Sequence, residues 1–171
     1  MMKRRVGWLA LVVGAVALVA VAWLARAREA PAESSTLMTE APTVVMYKSP
    51  TCGCCVGWAE HMRRAGFIVE EKPVADMAEM KRAQGVPRLA WSCHTAVVDG
   101  YIIEGHVPAA EVQRLLTERP DGVVGLAVPG MPAGSPGMEV PGGRVTPYAV
   151  LAFDAQGQTS VYATYREPAS P

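Results

Sequence analysis

Three cysteines in four residues, Cys52-Gly53-Cys54-Cys55, stand between a run that reads as a strand and a run that reads as a helix. Val44-Val45-Met46-Tyr47 has the apolar, β-branched character of a buried strand. Lys48-Ser49-Pro50-Thr51 stops it, because Pro50 cannot donate to a ladder. After Cys55, the apolar or small residues Trp58, Ala59, Met62 and Gly66 recur at three and four positions, with Glu60, Arg63 and Arg64 on the other face. Gly66 suits a C-cap. The thiols of Cys52, Cys54 and Cys55 are therefore expected at a helix N-terminus, where unpaired N–H groups and the positive dipole end lower a thiol pKa. Whatever the chain folds into must place a sulfur cluster where a strand hands over to a helix.

The rest of the pattern is α/β. Phe67 to Glu71 reads as a second strand, and Val74 to Gln84 as a second helix that Gly85-Val86-Pro87 ends. Thr95 to Val98 and Tyr101 to Ile103 flank Asp99-Gly100, the dipeptide that best signals a two-residue hairpin turn. Pro108 suits the first turn of a helix whose buried stripe is Val112, Leu115 and Leu116, running to about Arg119. This gives the order βαβαββα. Pro120 to Pro147, dominated by Gly and Pro, reads as a long loop, and loops of that length tend to be functional. Tyr148 to Phe153 and Thr159 to Tyr165 close the chain as a second hairpin. The C-x-x-C spacing of Cys52 and Cys55, with Val86-Pro87 ahead of a later strand, matches a thioredoxin-like core, in which Val86-Pro87 would be the cis-proline turn.

Ahead of this domain, Lys3, Arg4 and Arg5 precede the uncharged run Val6 to Ala25, about the ~20 residues that cross a bilayer as a helix. Residues 1–28 are expected to be a signal peptide, with small-x-small sites at Ala20-Val21-Ala22 and Ala25-Arg26-Ala27, or an uncleaved N-terminal membrane anchor. Basic residues before the run send the body to the extracytoplasmic side. Residues 29–42, rich in Ala, Pro, Ser, Thr and Glu, read as a flexible linker, which leaves 43–171 as the domain. The whole chain carries 16 basic and 16 acidic residues. Setting residues 1–29 aside makes the remainder mildly acidic, which argues against a nucleic-acid surface. Membrane contact is expected only through the N-terminal segment.

Cys54 sits badly in a simple thiol exchange pair, because a third thiol competes for either partner. Three adjacent thiolates instead suit soft ions such as Cu(I) and could bridge several of them. Cys93 and His94 follow the Val86-Pro87 turn, His106 lies beyond the first hairpin, and Met131 and Met138 lie in the Gly/Pro loop. Thiolate, thioether and imidazole are a copper-type ligand set; zinc would use Cys and His but make little use of Met. Two other readings remain open. Cys52 and Cys55 could be the catalytic pair of a thiol-disulfide oxidoreductase, or the four cysteines could form two structural disulfides, an awkward arrangement for the adjacent Cys54 and Cys55. His61 reads as solvated, Met62, Met77 and Met80 as core, and Trp58 and Trp91 as packing, with Trp91 close enough to Cys93 in sequence to shield the sulfurs.

Taken together, Tyr47 to Cys55, Ser92 to Val98, Gly100-Tyr101 through Glu104-Gly105-His106-Val107-Pro108, and Gly125 to Pro132 through Gly137-Met138 resemble the CopG-type copper-resistance proteins, a group long filed as a domain of unknown function. The resemblance covers roughly Val44 to Tyr165. It implies a periplasmic, thioredoxin-like protein of Gram-negative bacteria that binds copper through its cysteine cluster and takes part in copper tolerance, with redox handling of the metal as a further expectation. Carried over by position, the implied metal ligands are Cys52, Cys54, Cys55, Cys93, Met131 and Met138, with His94 and His106 as further members. The expected partners are copper ions and periplasmic copper chaperones or exporters.

Overall fold

The computed structural model describes residues 40–139 and 141–165. Residues 1–28 and all of the linker except 40–42 lie outside these. Strand β1 (Thr43–Lys48) alternates its side chains, so Val44 and Met46 enter the core. Helix α1 (Gly53–Arg64) follows and buries Cys55, Trp58, Ala59 and Met62 on one stripe. Its end is set by Gly66, whose φ of +94° is open to glycine at little cost. Strand β2 (Ile68–Pro73) pairs parallel with β1 as the sheet's edge, where the terminal Pro73 removes no ladder donor that a neighbour needs. Helix α2 (Met77–Ala83) is shorter than the apolar pattern predicts. Asp76 caps it by accepting from the Glu79 N–H at 2.9 Å, while the N–H of Val74 is taken by the Lys48 carbonyl.

Strands β3 (His94–Val98) and β4 (Tyr101–Glu104) form the expected hairpin, with φ of +48° at Asp99 and +82° at Gly100 as a two-residue turn of that hand requires. Helix α3 (Ala109–Glu118) buries Ala109, Val112 and Leu115. The Gly/Pro segment is not loop throughout. Gly125–Ala127 forms β5, parallel to β4 and antiparallel to β6 (Tyr148–Phe153), which in turn pairs with β7 (Thr159–Tyr165). The described residues thus form a mixed α/β domain of three helices and a seven-stranded mixed sheet ordered β2-β1-β3-β4-β5-β6-β7.

Alternation along the strands divides the interior. Val44, Met46, Ala96, Val98, Ile103, Leu126 and Ala152 face α1 and α3, whose Trp58, Met62, Val112 and Leu115 complete the main cluster. Fully burying each large side chain of this set contributes about 1.5–3 kcal/mol. Ala127 and Phe153 point the other way and pack with Val86 and Ala90. The Val86-Pro87 turn lies on that second side, and its peptide bond is trans rather than the expected cis. Pro87 (φ −59°, ψ 135°) leads into the 3-10 turn Arg88–Ala90, and its carbonyl accepts from the Ala90 N–H at 2.8 Å. Among the described residues no helix is long and apolar enough to cross a membrane.

Candidate metal centre

The turn after β1 is closed by the Cys52 N–H donating to the Ser49 carbonyl at 3.1 Å, and Cys52 then occupies the N-cap of α1 without capping through its side chain. That side chain is engaged elsewhere, in a disulfide with Cys55, with the Cα atoms 5.5 Å apart. One turn of helix brings residues three apart onto one face, so the pair closes without distorting the backbone. Cys54 and Cys93 are free thiols. Cys54 Sγ lies 3.5 Å from Cys52 Sγ, 3.9 Å from Cys93 Sγ and 3.9 Å from Met131 Sδ, and Cys93 Sγ is 3.7 Å from Cys55 Sγ. Cys52, Cys54, Cys55 and Cys93 therefore converge on one point from the start of α1 and the residue before β3.

Cys93 is also the corner of a second group. Its Sγ is 2.9 Å from His106 Nε2 and 3.2 Å from His94 Nδ1. His106 Nδ1 lies 2.7 Å from the Pro136 carbonyl, which can only accept, so the ring proton sits on Nδ1 and the Nε2 lone pair faces the sulfur. A backbone acceptor behind an imidazole is the usual device for presenting the other nitrogen to a metal. Burial pulls the His94 pKa well below the ordinary value and that of His106 in the same direction, so both rings are neutral and able to ligate at pH 7. Among the described residues His94 Nε2 is buried without a partner, beside the Trp58 ring at a centroid distance of 4.4 Å. Burial, and next the neighbouring Cys54, push the Cys93 thiol up to about 12. The acidification expected at the helix terminus does not reach this fourth thiol, so metal binding at Cys93 must displace a proton.

Met131 reaches the sulfurs because the Gly/Pro loop is pinned at two places. Gly130 pairs with Ser92 as an isolated parallel bridge, its N–H donating to the Trp91 carbonyl at 3.2 Å and its carbonyl accepting from the Ser92 hydroxyl. Further along, Gly137 lies against the first turns of α1. A Cβ on Gly137 would stand 2.5 Å from the Trp58 nitrogen, and one on Gly57 would stand 3.0 Å from the Gly137 Cα. Residue 137 must be glycine for this approach, and Gly57 leaves it room; the approach delivers the Pro136 carbonyl to His106. Met131 is 53% exposed, at the mouth of the cluster. Met138 is half-buried and hydrogen-bonds within the loop, its N–H donating to the Ser135 carbonyl at 2.8 Å. Among the described residues no sulfur contact joins Met138 to the cysteines, so of the two loop methionines only Met131 is in position.

Other groups escaped the sequence reading. His61 is half-buried rather than solvated: its Nε2 accepts from the Ala109 N–H at 3.0 Å and so caps α3, whose N-cap Pro108 has no side-chain acceptor. Lys81, on the stripe that Met77 begins, is buried and donates to Glu104 Oε1 at 2.6 Å and Thr95 Oγ1 at 3.1 Å. Burial pushes the Glu104 carboxyl up while the Lys81 ammonium pulls against it. A charged residue four positions after an apolar one was the available signal, and it reads equally as a solvated edge. Trp91 is half-buried and gives its Nε1–H to the Val86 carbonyl at 3.0 Å.

Residues 90–138 match the family model described as a protein of unknown function, DUF411. That stretch holds Cys93, His94, His106, Met131 and Met138. No curated protein matches the chain. Two solved structures of copper resistance protein CopG do. Form 2 is 44% identical, with a TM-score of 0.70, and the match covers 74% of this chain and 100% of that one. Form 1 is also 44% identical, with a TM-score of 0.69 and coverage of 74% and 98%. By that identity over the full length of a solved relative, the chain belongs to the CopG family of copper-resistance proteins.

Proposed function

We propose that this protein holds Cu(I) in a thiolate site made by Cys52, Cys54, Cys55 and Cys93, with Met131 closing one side and His106 and His94 the other. The observation that carries this reading is the position of Cys54, within 3.9 Å of Cys52, Cys93 and Met131 sulfurs at once. Soft sulfur donors at that density favour Cu(I) and can bridge more than one ion. A structural disulfide framework needs no such convergence, and it would leave no free thiol. The setting we infer is the periplasm, on a thioredoxin-like scaffold, with copper as cargo received from or passed to chaperones or exporters. The N-terminal segment would act there as export signal or anchor to the inner membrane, and residues 43–171 as the binding domain.

Full occupancy requires the Cys52–Cys55 pair in its reduced form, which gives the site a redox step. Two thiolates can each give one electron to a Cu(II) ion, forming the S–S bond and leaving two Cu(I) ions, with the thiol protons released to solvent. On this reading a Cys52–Cys55 disulfide, the bond present in the structure, would be the product of that exchange. The same disulfide supports a second reading, a thiol-disulfide oxidoreductase working through Cys52 and Cys55, with the Cys93 sulfur 3.7 Å from Cys55.

Anaerobic Cu(I) titration of the reduced domain against a competing chelator separates the two. The copper site retains more than one ion per chain, and Cys54→Ser lowers that number. Saturation at one equivalent, unchanged by Cys54→Ser, contradicts it. Insulin reduction by the metal-free protein at rates typical of exchange enzymes would instead favour the oxidoreductase.

A further inference from the structure

The buried charged pair Lys81–Glu104 lies on the opposite face of the sheet from the sulfurs, since Thr95 and Glu104 alternate with His94 and Ile103. A salt bridge buried to 3% exposure at Lys81 and 0% at Glu104 is expensive to desolvate and is commonly replaceable by apolar residues without loss of stability. Its connections suggest what retains it. Glu104 Oε1 accepts from Lys81 Nζ at 2.6 Å and from the Ser92 N–H at 2.6 Å, and Glu104 Oε2 accepts from Thr95 Oγ1 at 2.7 Å. The Ser92 and Thr95 links end beside residues of the metal centre. Ser92 precedes Cys93, Thr95 follows His94, and Glu104 is itself two residues before His106. Ser92 also carries Gly130, and through it Met131, by the bridge described above. Helix α2, which supplies none of the sulfurs, thus reaches the three segments that bear Cys93, His106 and Met131.

We propose that Glu104, held by Lys81, is a positioning residue for the copper site: it locks Ser92 and thereby sets Cys93 and Met131 against His106. The inference rests on the copper reading above. Groups standing behind metal ligands typically govern about 10–100-fold in affinity, and that is the range expected here.

The test uses paired substitutions that avoid stranding one charge. Lys81→Met with Glu104→Leu replaces the pair by apolar side chains and frees the Ser92 N–H. Lys81→Met with Glu104→Gln also removes the charges but keeps a carbonyl oxygen for Ser92 and an amide for Thr95. Wild-type Cu(I) binding is measured first, and its absence would refute the copper reading itself. Given wild-type binding, the Leu pair is expected to lose at least tenfold in Cu(I) affinity and the imidazole contribution to the copper X-ray absorption spectrum, while the Gln pair restores both. Equal affinity and an unchanged spectrum in a folded Leu pair would overturn the positioning role. Should the Leu pair not fold, Ser92→Pro, which deletes the N–H together with the hydroxyl that donates to the Gly130 carbonyl, is compared with Ser92→Ala, which deletes the hydroxyl alone; both leave Lys81–Glu104 intact. Trp91, at φ −57° and ψ 137°, already has the backbone a residue before proline adopts. The same loss of affinity and imidazole signal is expected of Ser92→Pro relative to Ser92→Ala, and equal behaviour of the two would overturn the proposal.

Discussion

Replacing Gly137 by alanine tests whether the loop is held on α1 by backbone contact. The residue has φ +84°, where an L side chain costs about 1–2 kcal/mol. The added Cβ would also meet the Trp58 nitrogen at 2.5 Å and the Cys54 carbonyl oxygen at 2.9 Å, both backbone atoms of a packed helix. Relieving this requires the loop to lift by ~1 Å, and overpacking of that kind costs a further ~1–3 kcal/mol. Gly142 provides the control, because it has φ +68° with nothing among the described residues within 4 Å of its Cβ position, so Gly142→Ala carries the strain without the clash. The extra penalty at 137 has two readouts. In thermal unfolding each kcal/mol is worth about 3–6 °C for a domain of this size. If the loop lifts before the domain melts, the Tm change is capped. The loss then appears in Cu(I) affinity, about 10–100-fold, since the Pro136 carbonyl leaves His106. Gly137→Ala matching Gly142→Ala in both Tm and affinity would refute the reasoning.

The titration of the buried histidines gives a second expectation. His61, His94 and His106 all have pKa values lowered by burial from the ordinary 6.5, so the unfolded chain binds more protons than the folded one below that pH. Their contribution to stability is complete above pH 6.5 and is lost as pH falls from there towards the lowered folded values. Urea unfolding of metal-free protein between pH 8 and pH 5 should show this decline, and His94→Phe should make it shallower; an identical slope in the variant would assign the decline elsewhere. A third expectation concerns thiols. Denatured but unreduced protein should titrate two, from Cys54 and Cys93, and four after reduction. Four without reduction would mean that the Cys52–Cys55 bond is not the resting form.

Much of the architecture could be read from local chemistry. The Asp99-Gly100 turn, the apolar stripes of α1 and α3, and the β6–β7 hairpin follow from residue periods and turn residues that act within a few positions. The features that escaped reading are those made by distant neighbours. Strand β5 is three residues in a Gly/Pro-rich stretch, and its pairing comes from β4 and β6 rather than from its own propensity. Lys81 and Glu104 look like solvated charges until the fold places them 2.6 Å apart. The glycine contact between residues 57 and 137 has no local signature at all. For the site, the cysteine spacing located the cluster and the Met131 motif its rim, but which loop methionine points inward depends on the Gly130–Ser92 bridge. His106 needed the Pro136 carbonyl from thirty residues away before its Nε2 was directed at Cys93.

The central claim, that four cysteine sulfurs act as one soft-metal site, is tested most directly by copper K-edge X-ray absorption on the reduced, Cu(I)-loaded protein. The account predicts a first shell dominated by sulfur together with a copper–copper scattering path from thiolate-bridged ions. A first shell of nitrogen and oxygen, or sulfur ligation with no copper–copper path in a fully loaded sample, would contradict it.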